Sequence, residues 1–569
     1  MPQSDIIAAI MKYAVKNAMD YGKASESAVC NKVISQYPEL RKDIKSLSNE
    51  VREVVLKVNL MSKDSLETEY SKYSNEFRTE AKIKLEKTSK PNMNLEGAVQ
   101  GNFKTRFPPE PNGFMHIGHA KAAFLESEFS RIYKGSLVLY FDDTNPDSEK
   151  QEFVDAIKKD LDWLGIRFSE EYYASDHIEQ MYKYADMMIS KGNAYVCMCS
   201  AEEAGLGREK GEICRHKKQT SNQNSELWKR MLIGEFAENE ATLRLNGDMQ
   251  SLNTTMRDPI LFRIKSSTHY RQGDKYRVWP TYNFNTPVMD SIKGITDVIR
   301  SKEYELRDEL FNCILNSLSL RKPIIHSMAR LEISNNLTSK RKLNELIRQG
   351  KIGGYDDPRL VTIAGLRRRG ITPDAIREFV LRFGMSKNES SVDINMLLSY
   401  NRKEIDQKAK RLFALKDPIE IDVENLGIDK VILKNHPSQN LGQRSYKMGK
   451  KFFIERDDAT KFREGSIIRL KDAFSVVIKN TGNVIKAEYS EEKSGSAIQW
   501  IAENNLIKCR IASIGNLMDG ELFNKKSLVV NDAYVEKHAT RLSEGSIVQF
   551  ERIGFFKLDK KDEMYFISL

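Results

Sequence analysis

Cysteine is scarce: the 569 residues contain six. That is too few for a disulfide framework in so long a chain, so a secreted, cross-linked scaffold is excluded and a reducing compartment is expected. No uninterrupted apolar stretch reaches membrane length, and the opening residues Met1-Pro-Gln-Ser-Asp5 carry no basic region followed by an apolar run. A soluble, cytoplasmic protein with no membrane partner is therefore expected. Coiled-coil heptads are also missing, which leaves no sequence reason to expect more than a monomer. Charge of one sign is in modest excess, with a net charge of +10 and an isoelectric point near 8.9, pointing to a polyanionic partner.

The basic residues cluster. Between Lys340 and Gly370 there are nine Lys or Arg against three Asp or Glu, including Arg367-Arg-Arg369. This run reads either as a polyanion-binding surface or as a solvated helical face.

The length requires several domains. Residues 1–98 read as a helical domain, because Ile6-Ile7-Ile10-Tyr13-Ala14 and Val51-Val54-Val55-Val58 recur at helical spacing and no glycine lies between Gly22 and Gly97. It shows no catalytic constellation; contact with a partner and plain packing are both open. Lys82 to Met93 reads as a linker. Residues 99–335 then alternate strand and helix. Ser136–Phe141 is an apolar strand ending in Asp142-Asp-Thr-Asn-Pro146, and Phe153, Ile157 and Leu161 mark a helix. This order argues for a parallel, doubly wound α/β sheet with ligand sites at the carboxyl ends of its strands. Val278–Phe284 reads as a further strand approaching the site.

Arg106 to Lys121 organises the α/β domain. Pro108, Pro109, Pro111 and Gly113 break the backbone, then His116 and His119 precede an amphipathic run through Leu125, Phe129 and Ile132. Strand, tight turn and helix start follow one another. Two imidazoles on one face of a helix N-terminus, beside free backbone N–H groups, suit a phosphate.

Residues from about 195 to 275 interrupt the alternation and carry Cys197-Met-Cys199 and Cys214-Arg-His216. Four soft ligands of this kind can close a tetrahedral zinc site, and they can equally be reduced, metal-free residues of a loop. Beyond about residue 410 the chain turns to short apolar alternations. Glu464-Gly-Ser-Ile-Ile-Arg-Leu-Lys471 and Glu544-Gly-Ser-Ile-Val-Gln-Phe-Glu551 echo one another, which suggests two related β-barrels over 411–569.

These motifs, taken in order, resemble the class I aminoacyl-tRNA synthetases of the glutamyl and glutaminyl type. Pro108-Pro-Glu-Pro-Asn-Gly113 followed by His116-Ile-Gly-His119 is similar to their "HIGH" signature, and Leu337-Thr-Ser-Lys-Arg-Lys342 to their "KMSKS" loop, with Leu337 where lysine is usual. The resemblance implies a Rossmann-type catalytic domain that binds ATP with Mg2+ through Pro109, Glu110, Asn112, Gly113, His116, Gly118, His119, Ser339 and Lys340. In this reading His116, His119 and Lys340 serve the chemistry. It further implies that Arg106, Asp142, Tyr282 and Arg300 hold the amino acid, and that residues 336–410 carry the loop and a helical segment touching the inside of the tRNA elbow. The double barrel would read the anticodon, with Arg444, Lys447 and Lys450 as candidates. Cys197, Cys199, Cys214 and His216 would bind one structural Zn2+, as in some glutamyl enzymes.

Arg300 decides the substrate within that resemblance. Glutaminyl enzymes typically have a small neutral residue there; a buried arginine should prefer glutamate and be left unpaired by an amide. Its alternative is an ordinary salt bridge to Glu303 or Glu305. The expected activity is glutamate–tRNA ligation of the archaeal type on tRNA(Glu), with tRNA(Gln) open as a second acceptor; glutaminyl-tRNA synthesis and non-catalytic tRNA binding are the alternatives. Glutamyl members generally require tRNA for activation. Tyr140 departs from the arginine that such relatives usually carry.

Overall fold

The strand Lys104–Phe107, the helix Ile117–Ile132, the strand Ser136–Phe141, the helix Gln151–Trp163 and the strand Glu170–Tyr173 follow in sequence in the computed structural model. It describes residues 3–37, 40, 44–62, 64–73, 76 and 93–569. The three strands pair in parallel, Arg106 opposite Val138 and Val138 opposite Glu170. Leu137–Phe141 is buried throughout, as expected of a strand covered on both faces. A second parallel pair, Asp297–Ser301 with Ile324–Met328, adjoins the first where Thr296 N donates to Lys104 O at 2.8 Å and Lys104 N donates to Thr296 Oγ1 at 2.7 Å. Phe107, Phe141 and Ser301 thereby end on one side, and their carboxyl ends frame the cavity described below.

The interruption is a four-stranded antiparallel sheet, Ala194–Cys197, Thr242–Leu245, Ile260–Ile264 and Val278–Pro280. Its core includes Trp228, Phe262 and Trp279. The expected strand Val278–Phe284 is corrected here: it ends at Pro280, and Thr281 is the N-cap of a helix, Tyr282–Ile292. The Thr281 hydroxyl donates to Ile260 O at 2.7 Å, which fixes the turn and puts Tyr282 on a helical first turn.

Two seven-stranded sheets make up the C-terminal region, each with its own apolar core. One contains Pro418–Glu424 and the strands from Lys451 to Ala502, with Lys430–Lys434 and Gln443–Lys447 forming a separate two-stranded sheet; the other contains Lys410–Leu412, Ala414–Leu415, Leu506–Ile514 and the strands from Leu528 onward. The echoed sequences form the same turn in both. Gly465 and Gly545 adopt φ of 83° and 85°, where glycine carries no Cβ penalty. Gly465 N donates to Ile478 O at 2.8 Å and Gly545 N to Leu558 O at 2.7 Å.

Residues Met1–Pro91 are a separate unit from Asn92–Leu569. In the first, the helices Gln3–Tyr21, Glu26–Gln36 and Ile44–Asn59 share a core of Ile10, Ala14, Val29, Val33, Val51 and Val55. Asn59 closes it, accepting from Ala24 N at 2.7 Å and donating to Ala24 O at 3.0 Å. The expected linker, Lys82 to Met93, lies outside the described residues except for Met93. Among the described residues no helix is long and apolar enough to cross a membrane.

Candidate active site

A cavity of about 640 Å³ opens at the strand ends and is lined by every residue assigned from the sequence to ATP or to the amino acid. His116 is the N-cap of the helix Ile117–Ile132. Its Nδ1 accepts from Gly118 N at 3.1 Å, while its own backbone N–H donates to His119 Nδ1 at 3.2 Å. This is a capping box made of two imidazoles. Since each Nδ1 is an acceptor, each neutral ring carries its proton on Nε2. A Cβ on Gly118 would lie 2.9 Å from the His116 ring, so the fold-back of the ring requires glycine.

Burial, then His119 and Arg330, push the His116 pKa well below its ordinary value. The His119 ring is open to the cavity, yet enclosure by the surrounding protein and then Arg330 push its pKa down to about 4. Both rings are neutral N–H donors near pH 7. The motif is held in place from outside, as Ile117 N donates to Val361 O at 3.0 Å and Ile363 N to Met115 O at 2.9 Å.

Ser339 caps the helix Lys340–Arg348. Lys340 is exposed, its Nζ donates to Asn112 O and lies 4.9 Å from the Phe153 ring centre, and burial of its head lowers its pKa. Arg330 escaped sequence reasoning. It follows the strand Ile324–Met328, pairs with Glu303 and lines the cavity beside the histidines. Its only sequence signal is a lone arginine seven residues before Leu337.

The floor is more enclosed. Arg106 is 1% exposed and chelates Asp290, Nε to Oδ1 at 2.7 Å and Nη2 to Oδ2 at 3.1 Å. The carboxylate expected for Arg106 is thus already present within the chain. Arg300, 6% exposed, donates through Nη1 to Tyr282 Oη at 3.4 Å and pairs through Nη2 with Asp308, not with Glu303 or Glu305. Those two glutamates pair instead with Arg330 and Lys387. Arg300 Nε is buried with no hydrogen-bond partner among the described residues. Asp142 stands just past the strand Ser136–Phe141 with its pKa raised to about 7 by burial, then by Glu110 and Asp143.

Cys197, Cys199, Cys214 and His216 come together at the edge of the antiparallel sheet, their ligand atoms within 4.8 Å of one another. Cys199 Sγ lies 3.5 Å from Cys214 Sγ and from His216 Nδ1, and Cys197 Sγ lies 3.7 Å from Cys214 Sγ. A tetrahedron with Zn–S near 2.3 Å and Zn–N near 2.0 Å has edges of about 3.5–3.8 Å. The donor set and its size fit zinc.

Basic residues considered for RNA contact also have partners within the chain. In the arginine run, Arg367 pairs with Asp160 at 3.2 Å, Arg368 chelates Asp559 with a shortest separation of 2.9 Å, and Arg369 is buried. The run ties the helix Ile363–Arg369 to its surroundings; it is not a free cationic patch. Arg444 lies on the strand Gln443–Lys447, which pairs with Lys430–Lys434, and is buried against Glu536 at 2.9 Å, so that it ties this pair of strands to the strand Leu528–Glu536. Lys447 and Lys450 are exposed.

A family model described as "tRNA synthetases class I (E and Q), catalytic domain" matches residues 102–407. Two models for the anticodon-binding domain of the same family match 409–490 and 497–559. The chain is 38% identical over 562 residues to the glutamate–tRNA ligase of Nitrosopumilus maritimus, covering 98% of each chain. It is 37% identical over 563 residues to that of Cenarchaeum symbiosum, again covering 98% of each. The glutamate–tRNA ligase of Pyrococcus furiosus is 36% identical over 564 residues, covering 97% of this chain and 96% of that one. The crystal structure of glutamate–tRNA synthetase from Elizabethkingia anophelis aligns over 53% of this chain and 70% of its own, at 18% identity and a TM-score of 0.39.

Proposed function

The chain belongs to the class I tRNA synthetases of the glutamate and glutamine type, and from that premise we propose that it ligates glutamate to tRNA(Glu) at the expense of ATP. The observation that carries this reading is a single cavity lined by neutral N–H donors and an exposed cation on one side and, on the other, by Asp142 and by Arg300, whose buried Nε has no partner among the described residues.

In the first step a glutamate α-carboxylate oxygen attacks the α-phosphorus of ATP. The new O–P bond makes glutamyl-adenylate as the bond to pyrophosphate breaks. Charge grows on phosphoryl oxygens, so donors already in place contribute most. His116 and His119 offer Nε2–H at a helix N-terminus, and neutral rings can donate without first losing an ion-pair partner. Lys340 follows the departing pyrophosphate by exchanging its Asn112 carbonyl contact for phosphate. Asp142 pairs with the α-ammonium, and Arg300, beside Tyr282, receives the side-chain carboxylate. Magnesium arrives with ATP and supplies charge neutralisation on the phosphates. In the second step the 2′-hydroxyl of the terminal adenosine attacks the adenylate carbonyl and AMP leaves.

Several parts of this reading extend further. The protein acts in the cytoplasm as a monomer. The C-terminal sheets read the anticodon through exposed side chains such as Lys447 and Lys450, and the N-terminal helical unit assists tRNA binding. Cys197, Cys199, Cys214 and His216 would hold one structural zinc ion, which would join the end of the strand Ala194–Cys197 to the turn at Cys214–His216. About one equivalent of zinc in protein purified without chelators supports the site; none removes it.

ATP–pyrophosphate exchange tests the activity, with glutamate or glutamine, and with or without tRNA(Glu) and tRNA(Gln). Exchange with glutamate that requires tRNA is expected. Exchange with glutamine would move the chain to the glutaminyl branch, and silence with both would leave a tRNA-binding protein. Charging of tRNA(Gln) with glutamate in the same assay sets the acceptor range.

A further inference from the structure

Asp142 is held by a contact that no synthetase motif announces. Asn285, on the helix Tyr282–Ile292, is fully buried, and its Nδ2 lies 2.6 Å from Asp142 Oδ1 and 2.6 Å from Tyr140 Oη. An amide nitrogen carries two hydrogens, and both are engaged. The amide oxygen has no partner among the described residues. Turning the amide over would set that oxygen against a carboxylate oxygen, so the two donors fix its orientation. Tyr140 is also fully buried, its ring 5.1 Å from that of Tyr172, and its hydroxyl is therefore a stationary acceptor. On the other side, Asp142 N donates to Pro109 O at 3.2 Å, which joins the backbone of Asp142 to the turn before the histidines.

We propose that Asn285, anchored by Tyr140, is a positioning residue for substrate recognition: it holds Oδ1 of Asp142 and presents the rest of the carboxylate to the α-ammonium of glutamate. This rests on the reading of Asp142 as the ammonium partner. The charged groups around Asp142 make the device necessary. Glu110 from the preceding turn, Asp143 from the same strand end and Asp290 from the helix that bears Asn285 all face it, and each opposes its ionisation, as burial does. The Asn285 N–H works in the other direction. Without it, the carboxylate would ionise at higher pH and lose its fixed orientation.

Steady-state kinetics of the full chain with tRNA test this, using Asn285→Ala, Tyr140→Phe, the double variant and Asp142→Asn. Loss of a hydrogen bond to a charged group predicts a glutamate KM raised about tenfold or more in Asn285→Ala, with the ATP KM unchanged. The acidic limb of kcat/KM for glutamate should move to higher pH. Tyr140→Phe keeps the ring packing and should shift both quantities in the same direction by less, and the two substitutions should not add. If Asn285→Ala does not fold, Tyr140→Phe carries the test alone. Unchanged glutamate KM and pH limb in the variants, with a raised KM in Asp142→Asn, would overturn the positioning role. An unchanged KM in Asp142→Asn would overturn the ammonium reading, and the proposal with it.

Discussion

At the floor of the cavity Arg106 is 1% exposed and chelates a carboxylate that is wholly buried, whereas at the rim Lys340 is exposed on the first turn of a helix and touches one carbonyl. The two cations face the same space on different terms. A charge taken out of water must be answered in the folded chain before any substrate arrives, and Asp290 answers Arg106. A charge at the rim carries a smaller penalty and, under the proposed function, can exchange its one carbonyl contact for pyrophosphate. Under the proposed function this division suits the floor to selection, which needs fixed geometry, and the rim to a reaction in which charge moves.

The sharpest way to break this comparison is to remove the partner at the floor. Asp290→Ala leaves a buried guanidinium unanswered and should destabilise the protein by about 3–5 kcal/mol, read as a lowered denaturation midpoint. An unchanged midpoint would mean that Arg106 is not held by this pair. Lys340→Ala, by contrast, should leave the midpoint alone and slow activation by about 10²–10³, with tRNA affinity unchanged in a direct binding assay. Loss of tRNA binding in step with activation would place Lys340 in RNA contact instead. Arg300 lies between the extremes, since it is buried, shares its charge with Asp308 and leaves its buried Nε without a partner among the described residues. Arg300→Ala should raise the glutamate KM about ten- to a hundredfold, the worth of one charge-assisted hydrogen bond. A KM that does not move would make the Asp308 pair its whole role.

How legible the two regions are in the sequence follows the same division. The rim is written locally: His116, Gly118 and His119 form one capping unit, and Ser339 and Lys340 open one helix, so short-range spacing contains the geometry. The parallel strands and the repeated turn at Gly465 and Gly545 are likewise set by neighbours in the chain. The floor is built from long-range pairs. Arg106 meets Asp290, and Asp142 and Tyr140 meet Asn285, across more than 140 residues, and no periodicity announces such partners. The partners of the arginine run are hidden from the sequence for a related reason. Its charges look free in sequence because Asp160 and Asp559 come from distant segments.

The smallest expected effect separates floor from rim by pH. Asp142, with its pKa raised to about 7 by burial, then by Glu110 and Asp143, is the cavity-lining carboxylate of the floor that titrates near neutrality, the adjacent Asp143 being raised to about 7 by burial as well, whereas His119 at the rim is pushed down to about 4. The value of kcat/KM reports groups of the free enzyme. As pH falls below 7, Asp142 takes up a proton and the ammonium loses its partner, while both imidazoles stay neutral and keep their Nε2–H. At pH 6, kcat/KM for glutamate should be about a tenth of its plateau, since each unit below a pKa removes about nine-tenths of the ionised form. In kcat the limb should lie at lower pH, because a bound ammonium favours the carboxylate. A limb near 4 in kcat/KM, with nothing near 7, would assign the acidic side of the profile to the histidines and leave Asp142 ionised throughout.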